Sequence, residues 1–403
     1  MNIDKRHLLN LSILIPYLML SVIGLIMVYS TTSANLIREG SNPFYQVINQ
    51  SLFWIVSLAA IFVIYRMKLS FLRQAKVIQV VLIVEVALLV ISRFFEPVNG
   101  AHGWIRFGFI GLQPAEYLKL IIVWYLAHKF ARMQPEIRTY DYRALTKGRW
   151  IPNHLNDWRL VSLLFIALVG TLPDLGNATI LALTVVIMIS VSGIGYRWFS
   201  TILLAIVAGS TALLGSIWAL GVEVVEKIPV FGYIARRFSA FFNPFENETG
   251  AGLQLANSYY AMSNGGWLGR GLGNSIEKNG YLPEAHTDFA FSIVIEELGL
   301  VGASLILALL FFLILRIIIV GIRARNPFNA MMALGIGGML LIQTFVNVGG
   351  ISGLIPATGV TFPFLSQGGN SLLIISIGIA FVLNIDANEK RVLLVEEIER
   401  TMT

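Results

Sequence analysis

The chain has 403 residues, of which 56% are apolar and only 13% charged, about half the charged share of an ordinary soluble domain. That balance excludes a soluble globular protein and marks a membrane protein. The net charge of +6 does not point to nucleic acid, because the basic residues gather in short segments between apolar stretches, where they set orientation in a bilayer. With no cysteine there is no disulfide framework and no thiolate metal site, so a bound metal would need oxygen or histidine ligands.

In chain order, apolar stretches fall at 12–31, 50–65, 77–95, 113–131, 159–172, 177–195, 200–221, 289–315, 328–352 and 371–387. A helix needs about 20 apolar residues to cross a bilayer, so the pattern predicts an all-α, polytopic membrane protein with about ten transmembrane helices. The first stretch is too long for a signal-peptide core and lacks a small-residue cleavage site. The fifth and sixth are short and meet at Pro173-Asp174-Leu175-Gly176, so 159–195 reads as either a tight pair of spans or one broken element.

Orientation follows from the basic residues. Arg66, Lys68, Arg73 and Lys76 follow the second stretch, Lys129 to Arg159 the fourth, Arg197 the sixth, and Arg316, Arg323 and Arg325 the eighth. These alternate segments are predicted to be cytoplasmic, as are both termini. The chain 1–403 then reads as one transmembrane domain with a large extracellular loop, 222–287, between helices 7 and 8, and a cytoplasmic tail, 388–403, expected to be helical. Within the loop, Ile228 to Phe245 sets aromatic residues around Arg236 and Arg237, which suits a helix lying in the membrane interface.

Ionisable side chains at membrane depth are costly, so those at the ends of spans are functional candidates. Asp288, preceded by Glu284 and His286, stands where the long loop re-enters the eighth span. Desolvation there disfavours its ionised form and raises its pKa toward a value suited to proton abstraction; the alternative is a helix cap. Glu116 and Lys119, at i and i+3, share a helix face close to Arg106. Together they could hold a pyrophosphate, or the pair could neutralise itself. Asp174 offers an oxygen ligand or simply makes a turn. Ser366, Gln367 and Gly368 precede the last span, where backbone N–H groups at a helix N-terminus could face an anion, or where a close-packed turn is all that is needed. No HExxH, paired cysteine or GxSxG motif occurs, which removes the common membrane hydrolases.

Five segments together resemble the shape, elongation, division and sporulation (SEDS) glycosyltransferase family. They are Gly100 to Arg106, Gln113 to Lys119, Pro173 to Gly176, Leu282 to Phe289 (LPEAHTDF) and Pro356 to Ser371 (PATGVTFPFLSQGGNS), in the family's order and across the whole chain. Gly103 and Asn177-Ala178 depart from the usual pattern without removing a charged candidate. The resemblance implies ten transmembrane helices and an enzyme that polymerises the cell-wall precursor lipid II, releasing undecaprenyl pyrophosphate, with Asp288 as the catalytic general base. It implies substrate contacts at Arg106, Glu116, Lys119, Asp174, Arg236, Lys278, Glu284, His286, Ser366, Gln367 and Gly368. It also implies a class B penicillin-binding protein and other division-complex membrane proteins as partners, no organic cofactor, and a divalent cation (Mg or Mn) as an open question. The LPEAHTDF variant leans toward the family's division member over its elongation member. The competing readings are a lipid II flippase and a non-catalytic scaffold for the division complex.

Overall fold

The computed structural model describes residues 5–96, 103–107, 110–149, 151–152, 155–172, 174–220, 232–245 and 250–402. After a 3₁₀ turn at Lys5–Leu8, its helices are α1 (Leu11–Arg38), α2 (Tyr45–Arg66), α3 (Leu69–Leu72), α4 (Ala75–Ser92), α5 (Pro114–Tyr140), α6 (Tyr142–Leu145) and α7 (Trp158–Gly170). They continue as α8 (Leu175–Val191), α9 (Tyr196–Leu220), α10 (Gly232–Phe242), α11 (Ala251–Gly265), α12 (Ala290–Arg323), α13 (Pro327–Ile351) and α14 (Gly369–Met402). Ten of these, α1, α2, α4, α5, α7, α8, α9, α12, α13 and α14, coincide with the ten apolar stretches. Six are long and apolar enough to cross a membrane. α5 is long enough as well but carries Glu116, Lys119, Lys129 and Arg132. α7 and α8 are two separate helices, which settles 159–195 as a pair; α7, with 13 residues, reaches only about 20 Å.

Why the chain forms a bundle in lipid is visible on α1. Leu11, Ile15, Met19, Val22 and Ile26 recur every three or four residues and are exposed, while Ile13, Tyr17, Leu20, Met27 and Val28 on the other face are buried. Both faces are apolar, so the outward stripe belongs against hydrocarbon rather than water. α13 and α14 are the central helices, with 78% and 83% of their apolar windows buried, against 17% for α2 and 22% for α4 at the periphery. Small residues allow the close approach expected between membrane helices. A Cβ on Gly335 of α13 would lie 2.5 Å from Met188 Sδ of α8 and 2.6 Å from Val123 of α5, and one on Gly338 would lie 2.7 Å from Ile187.

Two features depart from the reading of the sequence. Ile105–Phe107 pairs antiparallel with Ile110–Leu112, a β-hairpin (β1, β2) just before α5 in an otherwise helical protein. The 222–287 segment is also more than a loop. It contains α10, the amphipathic helix expected around Arg236 and Arg237, and α11, which packs on α12.

Glu296 and Glu297 tie the rest of that segment to α12. Glu296 accepts hydrogen bonds from Ser275 Oγ, from Ile276 N at 2.9 Å and from Asn264 Nδ2 at 3.4 Å. Glu297 pairs with Lys278 Nζ at 2.6 Å and accepts from Ser30 Oγ at 2.6 Å. Both carboxylates are buried and have the partners that burial demands. α12 is then interrupted at Gly299 (φ 71°, ψ 175°), where the backbone touches Gly269 N and Trp267 O so closely that a Cβ has no room. A Gly299→Ala variant is expected to lose at least about 2 kcal/mol and to give little monodisperse protein on size exclusion after solubilisation.

The bundle has two chemically distinct ends. One carries the Lys5–Leu8 turn, the α2–α4 connection, the α12–α13 turn and the outer part of α14, where Lys5 Nζ donates to Asn384 Oδ1 at 2.9 Å. The opposite end carries the hairpin, the start of α8, the 282–289 segment and the 356–368 segment. Asn370 Nδ2 donates to Gly111 O at 2.8 Å there and Tyr117 OH to Asn370 Oδ1 at 3.0 Å.

Candidate active site

Asp288 does not cap α12. The N-cap is Phe289, without a side-chain cap bond, and the Asp288 carboxyl instead faces Gly359 and Arg237. A Cβ placed on Gly359 (φ +76°) would lie 3.2 Å from Asp288 Oδ2 and 3.1 Å from Arg237 Nη2. Only glycine therefore allows the 357–360 backbone to pass between the acid and the guanidinium at this φ. Arg237 also donates to Ala357 O, which fixes α10 over the same backbone. Gly359→Ala is expected to cost about 1–3 kcal/mol, read as a lowered melting temperature of the solubilised protein, and to push Arg237 away from Asp288.

Asp288, Arg237, Asn347 and Gly359 line a small cavity of about 40 Å³ that opens at this end of the bundle. Burial raises the Asp288 pKa to about 7; Arg237 pulls it down, while the negative charges of Glu284 and Asp174 add to the rise. The carboxyl is thus close to half-ionised at neutral pH, the condition in which a carboxylate serves as a general base.

The Asp288 backbone is held by side chains from α13 and the 356–368 segment. Asn347 Nδ2 donates to Asp288 O at 2.7 Å and to Val360 O at 2.6 Å, clamping two loops from within α13. Ser366 Oγ donates to Thr287 O at 2.6 Å and accepts from Phe362 N at 2.8 Å. Gln367 N donates to His286 O at 2.7 Å, and Gln367 Nε2 to Gln46 Oε1. Gly368 N donates to Gln50 Oε1 at 3.3 Å. Phe291 and Phe362 stack at 4.4 Å with 4° between their planes, a rigid floor under both loops. Ser366, Gln367 and Gly368 therefore bind the 282–289 segment and α2 through these bonds, which is the close-packed-turn alternative.

The other candidates divide into those near Asp288 and those away from it. Asp174 caps α8, its Oδ1 accepting from Asn177 N at 3.1 Å, while Oδ2 accepts from Asn177 Nδ2 at 2.9 Å and Gln113 Nε2 at 3.3 Å. Burial raises its pKa, opposed by the two bonds from Asn177. Gly176 brings this helix end against the 358 backbone, where a Cβ would lie 2.5 Å from Thr358 O. Glu116 and Lys119 form a buried pair at 2.8 Å, and Lys119 Nζ donates to Gln343 Oε1 at 3.3 Å. Gln343 in turn donates to Thr361 O at 3.0 Å. Arg106 is exposed on β1.

Glu284 sits at φ 57° and accepts from Thr287 Oγ1 at 2.5 Å. Burial lowers the His286 pKa, against the pull of Glu284. Lys278 is engaged by Glu297, and its side chain is only 4% exposed. The Arg236 side chain lies outside the described residues; its neighbour Arg237 is the guanidinium beside Asp288.

Arg237, Asn347, Gln343 and Gly359 were missed as site residues. Asn347 and Gln343 had a legible signal, being amides inside an apolar stretch that need partners in lipid.

Among the described residues no group of three or more His, Cys, Asp or Glu side chains is gathered to hold a metal. Asp174 and Glu284 both act electrostatically on Asp288, and a hard cation held by any of these carboxyls would take most of its ligands from elsewhere.

The fold and site define a polytopic helical membrane protein with an acid–guanidinium centre at one end. Residues 10–391 match the FTSW_RODA_SPOVE family, described as "Cell cycle protein", and the chain belongs to that family. It is 50% identical over 402 residues to a "Probable peptidoglycan glycosyltransferase FtsW" of Lactococcus lactis subsp. lactis, covering 97% of this chain and 95% of the relative. It is 34% identical over 383 residues to the protein of the same name in Bacillus subtilis, covering 93% and 89%. Among solved structures, one described as "Structural coordination of polymerization and crosslinking by a peptidoglycan synthase complex" matches with a TM-score of 0.72 at 22% identity, over 94% of this chain and 98% of that one. The Thermus thermophilus rod shape determining protein RodA matches at 0.63 and 21%, over 94% and 97%. At such identities these two bear on the fold alone.

Proposed function

We propose that the protein is a peptidoglycan glycosyltransferase that polymerises lipid II into glycan strands, serving septal wall synthesis in cell division. The observation that carries the reading is Asp288. Its carboxyl has a pKa raised to about 7 and lines, with Arg237, a cavity at one end of a lipid-embedded bundle. A lipid-anchored sugar can reach such a place without leaving the membrane.

In the reaction, the acceptor sugar's 4-hydroxyl gives its proton to the Asp288 carboxylate as its oxygen forms a bond to the donor's anomeric carbon. The bond from that carbon to the pyrophosphate breaks, its electron pair leaves on the pyrophosphate oxygen, and the configuration inverts. Negative charge then develops on the leaving group, where fixed cations act most strongly. Arg237 at the cavity and Arg106 on the exposed hairpin supply those cations. A divalent cation, Mg or Mn, would neutralise pyrophosphate oxygens, with Asp174, once released from Asn177 and Gln113, as a protein ligand.

The Asp288 end is assigned to the outer face and both termini to the cytoplasm, on the strength of the basic segments at the other end. A class B penicillin-binding protein is the proposed partner, a reading supported by the synthase complex among the solved structures of like fold. The deciding experiment is polymer formation from labelled lipid II by the purified protein with its cognate partner, comparing wild type and Asp288→Asn. Polymer from wild type alone supports the reading, and equal output from both overturns it.

A further inference from the structure

At the end of the bundle remote from Asp288 lies an open cavity of about 670 Å³, lined by Lys5, Lys68, Arg73, Arg325 and Arg391 with one carboxylate, Glu389. The four segments that meet there come from far apart in the chain, so neighbouring sequence does not account for this concentration of positive charge. Internal anions do not absorb it at Lys5 or Lys68. Glu389 is occupied by Asn329 Nδ2 at 2.6 Å and by the backbone N–H of Arg325 at 3.0 Å. Arg73 Nη2 donates to the neutral Asn329 Oδ1 at 2.8 Å. Lys5 Nζ has neutral acceptors, Asn384 Oδ1 at 2.9 Å, Met67 O at 3.3 Å and Tyr65 O at 3.4 Å.

Arg325 pairs with Glu396 at 2.6 Å in an exposed ion pair, the kind that contributes little. The Lys68 side chain is exposed and makes no hydrogen bond or ion pair among the described residues. Burial, and secondarily the charge of Arg391, lowers the Lys5 pKa.

We infer that this cavity is a binding site for the phosphate headgroup of an anionic glycerophospholipid. A phosphate is the natural counter-charge for a cluster of lysine and arginine side chains, and basic pockets between transmembrane helices on one face of a membrane take anionic headgroups. A lipid is favoured over a soluble phosphate by what adjoins the cavity. Phe71, between the lining residues Ser70 and Arg73, is 45% exposed, and Val392, itself a lining residue, is 50% exposed. Phe62 and Val63, on the last turns of α2 below Lys68, are exposed too. An occupant with acyl chains would lie against this apolar surface while its phosphate sits among the cations. The consequence is a lipid headgroup seated among the N-terminal turn, the α2–α4 connection, the α12–α13 turn and α14.

The test uses the full-length protein in detergent, with phosphatidylglycerol titrated and bound lipid counted by native mass spectrometry. Lys68→Gln should weaken binding about fivefold, and Lys68→Gln/Arg391→Gln about twentyfold. Arg132→Gln/Arg143→Gln, which removes the same charge from another basic segment, should leave binding unchanged. Because Lys68 has no structural partner, its single variant reads the site without a folding defect. Four results would overturn the inference: equal loss in the control variant, equal binding of phosphatidylcholine, displacement of the lipid by glycerol 3-phosphate at matched concentration, or preferential binding of an acidic peptide. The third would indicate a soluble anion and the fourth a protein partner.

Discussion

Asp288→Asn is expected to reduce polymer formation from lipid II by about 10²–10⁴-fold, the range over which a general base contributes, while leaving the protein inserted and monodisperse. Asparagine keeps the shape and one oxygen, and the Asn347 bond to the residue-288 carbonyl does not depend on the side chain, so the loop should stay where it is. Two further readouts follow from the raised pKa. Activity of the wild type should rise with pH and level off above about 7, the value for Asp288, because only the ionised carboxyl can take the proton.

Stability should move the other way. A carboxyl whose folded pKa lies above its unfolded one contributes stability below the unfolded value and loses it as pH rises through the folded value. For Asp288 that window runs from 3.8 to about 7. The Asn variant should therefore melt higher than wild type at pH 8, by more than at pH 5. A variant that is inactive and no more stable at pH 8 would mean that Asp288 acts through its contacts and not as a titrating base.

Most of the ten apolar helices were legible because lipid imposes a simple rule, about 20 apolar residues in a row with basic residues between, of which α7, with 13 residues, falls short. The rule holds even for α5, whose Glu116 and Lys119 compensate each other one turn apart. It is silent on the β-hairpin, since three-residue strands at Ile105–Phe107 and Ile110–Leu112 carry no periodicity to detect. Asp288 stood out as an acid at an apolar boundary. Its counter-ion did not, because the choice between Arg236 and Arg237 depends on how α10 is rotated, which adjacent residues cannot reveal. Lys278 shows the opposite limit. It is a cation in a functional loop by sequence, yet its partner is Glu297, and only three-dimensional placement shows that the charge is already matched. Ser366 and Gln367 likewise look like an anion-binding turn, and their hydrogen bonds run instead to Thr287, His286 and Gln46.

Lys119→Met is expected to destabilise the protein by about 3–5 kcal/mol, the cost of leaving a buried charge without its partner, and to sharply reduce the folded yield. Lys119 is 0% exposed and Glu116 6%, so water cannot replace the lost ammonium. The same substitution also removes the donor to Gln343, the first link of a chain running from α5 through α13 to Thr361 and so to the segment that passes Asp288. Adding Glu116→Gln should restore most of the stability, because a neutral pair at these positions no longer strands a charge. The double variant then separates two roles that the single variant confounds. Enclosed as it is, Lys119 has no free face for a pyrophosphate, and the pair acts by positioning α5 against α13. A double variant that regains the fold should accordingly recover polymerisation to within about tenfold of wild type, the loss expected when a supporting partner, not a contact to the reacting atoms, is removed. A double variant that melts like wild type yet makes no polymer would show the reverse, that the site opens during turnover and Lys119 reaches the leaving group itself.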